Sequence, residues 1–212
     1  MYARQVKNRT LTLFVAGRLL GNNLVMQDRE TESYWSHMLG EAEAGPLKGE
    51  KLQQISAVLT DWQSWSEHHP EGTVVVLTRN TTSYVRESFK PDRRFVLGVV
   101  VNEQAAAWSF DLFAKTPARN DRLGEMPVLV AFDPKSATAR VYEREIGGRV
   151  LTFRLSDDQL IDQETGSTWD PVVGLAVTGP LKGTHLRPLP AIVSSSSAWK
   201  DFHPLSQIYS AE

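Results

Sequence analysis

The chain has no cysteine among its 212 residues. Disulfides, thiolate metal sites, iron–sulfur clusters and cysteine nucleophiles are therefore excluded, while the redox compartment stays open, since a thiol-free chain is viable anywhere. Net charge is also scarce: 23 Lys and Arg face 25 Asp and Glu, a formal −2. So near-neutral a balance gives no electrostatic reason to expect nucleic acid or an anionic membrane as partner. No stretch approaches the roughly 18 apolar residues of a membrane span. The N-terminus, MYARQVKNRTLTLF, lacks the apolar core of a signal peptide. At face value these absences describe a soluble cytoplasmic protein. Three common catalytic or nucleotide-binding signatures are missing as well: G-x-S-x-G, H-E-x-x-H and the dinucleotide fingerprint.

What the chain has instead is a repeat. The string GPLKG occurs at Gly45–Gly49 and again at Gly179–Gly183. It is not a phosphate loop, which needs four residues between its first glycine and the Gly-Lys pair. Sliding the chain by 134 positions aligns Asp28–Pro70 with Asp162–Pro204 without a gap, and 17 of the 43 pairs are identical. Upstream, YARQVKNRTLT from Tyr2 resembles YEREIGGRVLT from Tyr142 at a slightly different offset. A period this long marks duplicated domains rather than a solenoid. The chain is about one and a half copies of one unit, the half copy first.

Most segments read as short strands rich in Val, Leu, Thr and aromatics: TLTLFVAG, TVVVLTR, VLGVVV, AAAWSF, PVLVAFD, TARVYERE and RVLTFRL. Turn signals separate them (NEQ, DPKS, IGG) at spacings too short for βαβ crossovers. The expected fold is mainly β, an α+β arrangement of antiparallel meanders with a short helix closing each repeat. The first helix follows a cap at Thr60 or Asp61 and stops before Pro70; the second follows Ser195 or Ser196 and stops before Pro204. In each, Trp and His four residues apart share a face. The expected division is residues 1–78 as the half copy, 79–93 as a polar linker and 94–212 as the fuller copy. A half copy leaves an unpaired edge and an apolar face. Docking of the two copies about a pseudo-twofold axis would cover them, with a homodimer as the other possibility.

These residues resemble a bacterial and archaeal family, the domain of unknown function 3179. The resemblance rests on NLVMQDRETESYW, GPLKG and a Trp-bearing helix ending in His-Pro, and upstream on VLGVVVNEQAAAWSF, PVLVAFDPKSATA and GGRVLTF. It covers nearly the whole chain and implies no reaction. Where the family carries a Cys-Pro-x-Cys-Gly string, this chain has Asp133–Ala137, DPKSA. Thiol or soft-metal chemistry at that string is thus lost here. Met1 reads as an internal start of the unit. A missing upstream segment would hold the cysteines and a signal peptide, making the protein an exported one.

Repeated side chains supply the candidates for ligand binding. Asp28 and Glu30, with Asp162 and Glu164, suit acid/base work or hard-metal binding, since i and i+2 carboxylates of an extended strand point the same way. They equally suit a turn in which they accept bonds from backbone amides and from Thr31 or Thr165. His69 and His203 offer a base or ligand, or else a ring bonded to a helix-end carbonyl. Trp35 and Trp169, with Trp65 and Trp199 of the closing helices, offer a stacking platform, or else core. The leading reading is a non-catalytic β-rich module, structural or ligand-binding, with no cofactor, no metal and an unknown small-molecule ligand. The alternative is a metal-dependent or acid/base enzyme using the repeated carboxylates and histidines.

Overall fold

The computed structural model describes residues 1–75, 94–157 and 159–211. The expected linker at 79–93 and the last four residues of TVVVLTR lie outside them; Thr73–Val75, the part described, form no strand. Within the described residues the protein is mainly β, with three helices of six or seven residues.

The half copy opens with a small hairpin, β1 (Gln5–Val6) and β2 (Arg9–Thr10), followed by β3 (Leu13–Leu20), β4 (Asn23–Asp28), β5 (Tyr34–Ser36) and β6 (Ala42–Ala44). The last four form an antiparallel sheet in sequence order. Gly21 and Asn22 sit at φ +52° and +55° between β3 and β4, as a two-residue type I′ turn requires if it is to match strand twist. Helix α1 (Trp62–His68) closes the copy, with Asp61 accepting from the Ser64 amide as its N-cap.

The fuller copy contains β7 (Phe95–Val101), β8 (Gln104–Ser109), α2 (Phe110–Lys115), β9 (Ala118–Leu123), β10 (Met126–Asp133) and β11 (Thr138–Glu143). A region built like the half copy follows: β12 (Glu145–Ile146), β13 (Arg149–Val150), β14 (Phe153–Ser156), β15 (Gln159–Asp162) and β16 (Thr168–Trp169). The chain ends with β17 (Arg187–Pro188), β18 (Ala191–Ser195), α3 (Ser196–Phe202) and β19 (Gln207–Tyr209). Ser195 caps α3 through the Ala198 amide.

Two four-stranded sheets, ordered β18-β7-β8-β19 and β17-β11-β10-β9, carry the upstream half of the fuller copy. Their facing side chains make one core: Leu97, Val99 and Trp108 from the first sheet, Val128, Val130 and Val141 from the second, and Phe110 and Phe113 from α2. Alternate residues point the other way. Val96 and Ala107 meet Trp199, Ala198 and Met38, while Leu129 and Ala131 meet Trp169, Leu151 and Phe153. Strands β7 and β10 are therefore covered on both faces, which is why VLGVVV and PVLVAFD run apolar without alternation. The helix α2 departs from the sequence expectation, which carried the strand through Phe110. Ser109 serves as its N-cap position, and Phe110, Leu112 and Phe113 bury one face of a helix too short for periodicity to reveal.

The duplicated parts share a core residue for residue. Val6, Leu11, Trp35, Ala42, Leu47 and Leu52 in the half copy correspond to Ile146, Leu151, Trp169, Ala176, Leu181 and Leu186 in the fuller one. The offset is 140 before the β3–β4 hairpin and 134 after it, so six extra residues lie in that hairpin. They lengthen β3 to eight residues, against four in β14.

Contacts between the copies are reciprocal. From the half copy, His68 bonds Asp170 at 2.9 Å and Thr60 accepts from Thr138 at 2.8 Å. From the fuller copy, Trp199 packs beside Met38, and the Phe202 ring lies 3.2 Å from where a Cβ on Gly21 would be.

Candidate functional site

Asp28 ends β4 and is fully buried. Its Oδ1 accepts from the Thr31 amide at 2.6 Å and the Thr31 hydroxyl at 2.9 Å, and its Oδ2 accepts from Trp35 Nε1 at 2.8 Å. Asp162 repeats the pattern with Thr165 at 2.6 and 2.8 Å and Trp169 at 2.9 Å. Burial alone would raise the Asp28 pKa, but the hydrogen bonds from Trp35 and Thr31 outweigh it and hold the carboxyl below its ordinary value. Each aspartate thus ties a turn to the core tryptophan seven residues on.

Glu30 and Glu164 do not join their aspartates. The strand ends at the aspartate, and the chain turns through Glu32 at φ +59° or Gly166 at φ +72°. The i, i+2 alignment expected of an extended strand is therefore lost, and Glu30 reaches the Thr12 amide at 2.8 Å, as Glu164 reaches the Thr152 amide at 2.7 Å. The Thr12 amide bond is the main cause of a lowered Glu30 pKa.

The GPLKG strings complete the same turn. Ser33 and Ser167 accept from the Leu47 and Leu181 amides, both at 3.0 Å. A Cβ on Gly45 would stand 2.7 Å from the Ser33 Cα, and one on Gly179 the same distance from Ser167, with both glycines at positive φ. This close approach of backbone to backbone is why the string begins with glycine. The repeat is a module of hydrogen bonds that shapes the sheet, as the turn reading of these residues requires.

Trp35 and Trp169 are buried. His69 and His203 follow their helices as C-cap residues, and their rings lie on Trp65 and Trp199 at centroid distances of 4.0 and 4.2 Å. The expected bond from a helix-end histidine to a carbonyl is made instead by His68, whose Nδ1 meets the Ser64 carbonyl at 2.7 Å. Sequence reasoning passed over His68 because it has no histidine counterpart across the repeat. Burial lowers the His68 pKa, but the bonds to Asp170 and to the Ser64 carbonyl more than reverse this and raise it. Burial lowers the His203 pKa.

Among the described residues no group of three or more His, Asp or Glu is placed to hold a metal ion. No helix among them is long and apolar enough to cross a membrane. The string DPKSA forms the β10–β11 turn, where Asp133 accepts from the Lys135 and Ser136 amides, both at 3.1 Å. Its Oδ2 also accepts from the Ser136 hydroxyl at 2.5 Å, and Ser136 contacts Thr138 at 2.6 Å. The position of the resembled string's glycine is held by Ala137 at φ +53°.

One concave surface joins the copies. A cleft of about 340 Å³ is lined by Tyr2, Met38, Leu52, Val100, Ile192 and Trp199, with Glu41, Lys51, Glu103 and His203 supplying charge and polarity. Lys51 and Glu41 pair at 3.3 Å, and the Tyr2 hydroxyl donates to the Met38 carbonyl at 2.7 Å. Nothing in the repeat itself marks this cleft, since it combines residues from both copies; of its lining, His203 and Trp199 were weighed beforehand.

The family described as Protein of unknown function (DUF3179) matches the chain twice, over residues 1–91 and 85–212. Comparison with curated proteins and with solved structures finds no match.

Proposed function

Since the chain belongs to DUF3179, a family of unknown function, we propose from its own geometry that it is a non-catalytic, β-rich binding module. The observation that supports this is how the repeated polar residues are used. The aspartates and threonines bond within their own turns, the glutamates accept from the Thr12 and Thr152 amides, and Ser33 and Ser167 accept from the Leu47 and Leu181 amides, so each set is engaged within its own copy. Groups engaged in this way shape a scaffold, and their geometry favours no proton transfer to a ligand. The ligand surface in this reading is the cleft between the copies, with its apolar walls and His203 and Glu103 at hand. The two copies act as one docked body whose junction forms that cleft.

The test is a thermal-shift screen of the purified chain against small molecules, followed by NMR mapping and mass analysis of any stabilising compound. The reading expects perturbation around Tyr2, Val100 and His203, and recovery of the compound unchanged. A reproducible chemical conversion overturns the non-catalytic reading. Binding that perturbs only other surfaces overturns the choice of cleft.

A further inference from the structure

The two copies grip each other through closing helices that carry different residues at one equivalent place. Phe202 of α3 sets its ring against the β3–β4 turn, 3.2 Å from where a Cβ on Gly21 would be. The offset of 134 puts His68 at that position in α1, and His68 bonds Asp170 in the turn that follows β16. Asp170 stands where the half copy has Ser36. Each of the two accepts from an amide three residues on, Ser36 from Leu39 at 3.2 Å and Asp170 from Val173 at 3.1 Å. The turn is therefore shared, and the carboxylate is peculiar to the fuller copy.

The His68 ring lies between two groups that only accept. Its Nδ1 meets the Ser64 carbonyl at 2.7 Å, and its Nε2 meets Asp170 Oδ2 at 2.9 Å. Asp170 Oδ1 is already held by the Val172 and Val173 amides. Both ring contacts are hydrogen bonds only if both nitrogens carry protons, so the closed arrangement requires the imidazolium. A neutral ring sets one lone pair against an oxygen. We propose that His68 and Asp170 form a proton-dependent latch, which holds α1 on the fuller copy while the ring is charged and frees the helix when the ring loses its proton. Among the described residues, the charged groups about the latch are Asp170 itself, Glu67 on α1, and Arg140 on β11, which bonds the Val172 carbonyl of the same turn. Burial disfavours the charged ring, but the bonds to Asp170 and Ser64 outweigh it, so release falls above the ordinary value of 6.5. Thr60 and Ser56, joined to Thr138 and Arg140, keep the segment before α1 in place as a hinge. The contacts of Phe202 with Gly21 and of Trp199 with Met38 are apolar, so the other grip stays closed and the copies remain docked.

The test is an NMR titration of the full chain from about pH 6 to about pH 9, a range that brackets a raised histidine. Ring nitrogen shifts are expected to show both His68 nitrogens protonated at the acid end and only one at the alkaline end. Over the same step, exchange of the Trp65 and His69 amides, which bond along α1, should rise at least about tenfold beyond its intrinsic pH dependence. A helix of seven residues is marginal without tertiary contact. The His203 amide, the counterpart of His69 in α3, should stay within about threefold. His68→Arg keeps its charge at every pH and is expected to abolish the step; should that variant fail to fold, the wild-type titration decides alone. A singly protonated His68 ring at the acid end overturns the proposal, as does ring titration without faster exchange in α1. So does equal acceleration at His203, which would mean that the whole junction parts, or a step that persists in His68→Arg.

Discussion

Trp65 and Trp199 hold the same place in a duplicated sequence, yet their surroundings differ. Trp199 lies fully buried on Gly98, donates to Ser206 at 2.9 Å and completes a core with Val96, Ala107 and Met38. Trp65 is only half-buried, and the residue matching Ser206 is Gly72. Its nearby ring is His69, just as His203 accompanies Trp199. What differs is the sheet beneath. A local motif can thus be copied whole, cap, helix and ring pair together, while its stability depends on strands contributed from elsewhere in the fold.

Substitutions should separate what the copies share from what they do not. Trp199→Ala is expected to cost about 3–5 kcal/mol, the range for removing a fully buried aromatic. Trp65→Ala should cost under about 2 kcal/mol, because less surface is buried. Urea denaturation of both variants measures the gap, and equal losses would mean that Trp65 has cover comparable to that of Trp199.

The shared turn should behave oppositely, with matched effects. Asp28→Asn and Asp162→Asn each put an amide donor against the threonine and tryptophan donors, at about 1–3 kcal/mol apiece. The same denaturation series reads both, and a large inequality would break the equivalence. Because the folded Asp28 pKa is lowered, its contribution is present above the ordinary carboxylate value and is lost as pH falls through the depressed one. The wild-type chain should therefore lose more stability on acidification than Asp28→Asn does.

A smaller effect of the other sign is expected in the fuller copy alone. Ala137 sits at φ +53°, where glycine carries no steric cost, so Ala137→Gly should gain up to about 1 kcal/mol. A loss on thermal melting would show that the alanine methyl contributes packing worth more than the strain.

The smallest effect concerns the two helix-end histidines. His68 has a raised folded pKa, so its stabilisation is complete below the ordinary value of 6.5 and fades as pH rises through the raised value. His203 has a lowered one, so stability is complete above 6.5 and declines as pH falls below it. His68→Gln should flatten the first slope and His203→Gln the second. NMR titration of the two rings checks the directions separately.

The strands of the fuller copy's sheets, both capped helices and the turn role of Asp28 and Asp162 were legible from the sequence, because each leaves a local mark: β-branched runs, a Ser or Asp before Trp, a carboxylate ahead of Thr; TVVVLTR carries the same mark, yet its described part, Thr73–Val75, forms no strand. That the glutamates would bond backbone amides was legible too, but which amides was not: the i, i+2 alignment holds only while the strand continues, the strand ends at Asp28, and Thr12 and Thr152 lie elsewhere in sequence. The helix α2 was hidden by its length and by AAAWSF, whose small and aromatic residues suit a covered strand. His68 was hidden because its partner, Asp170, is 102 residues away. The cleft was hidden for a similar reason: no stretch of sequence contains it.

The six additional residues in the first hairpin have a consequence for how the molecule meets its own kind. Strand β3 is the edge of its sheet, and it displays Val15 and Leu19 to solvent, 57% and 68% exposed. A straight edge with such side chains would invite stacking into fibrils. Between these two residues, however, the register with β4 shifts, and Gly17 there takes φ +68°. The irregularity bends the ribbon and divides the edge into two short lengths, neither long enough to template a neighbouring chain. Straightening it, for example by deleting Gly17 with a neighbour, would turn a tolerated ornament of the fold into a nucleus for aggregation.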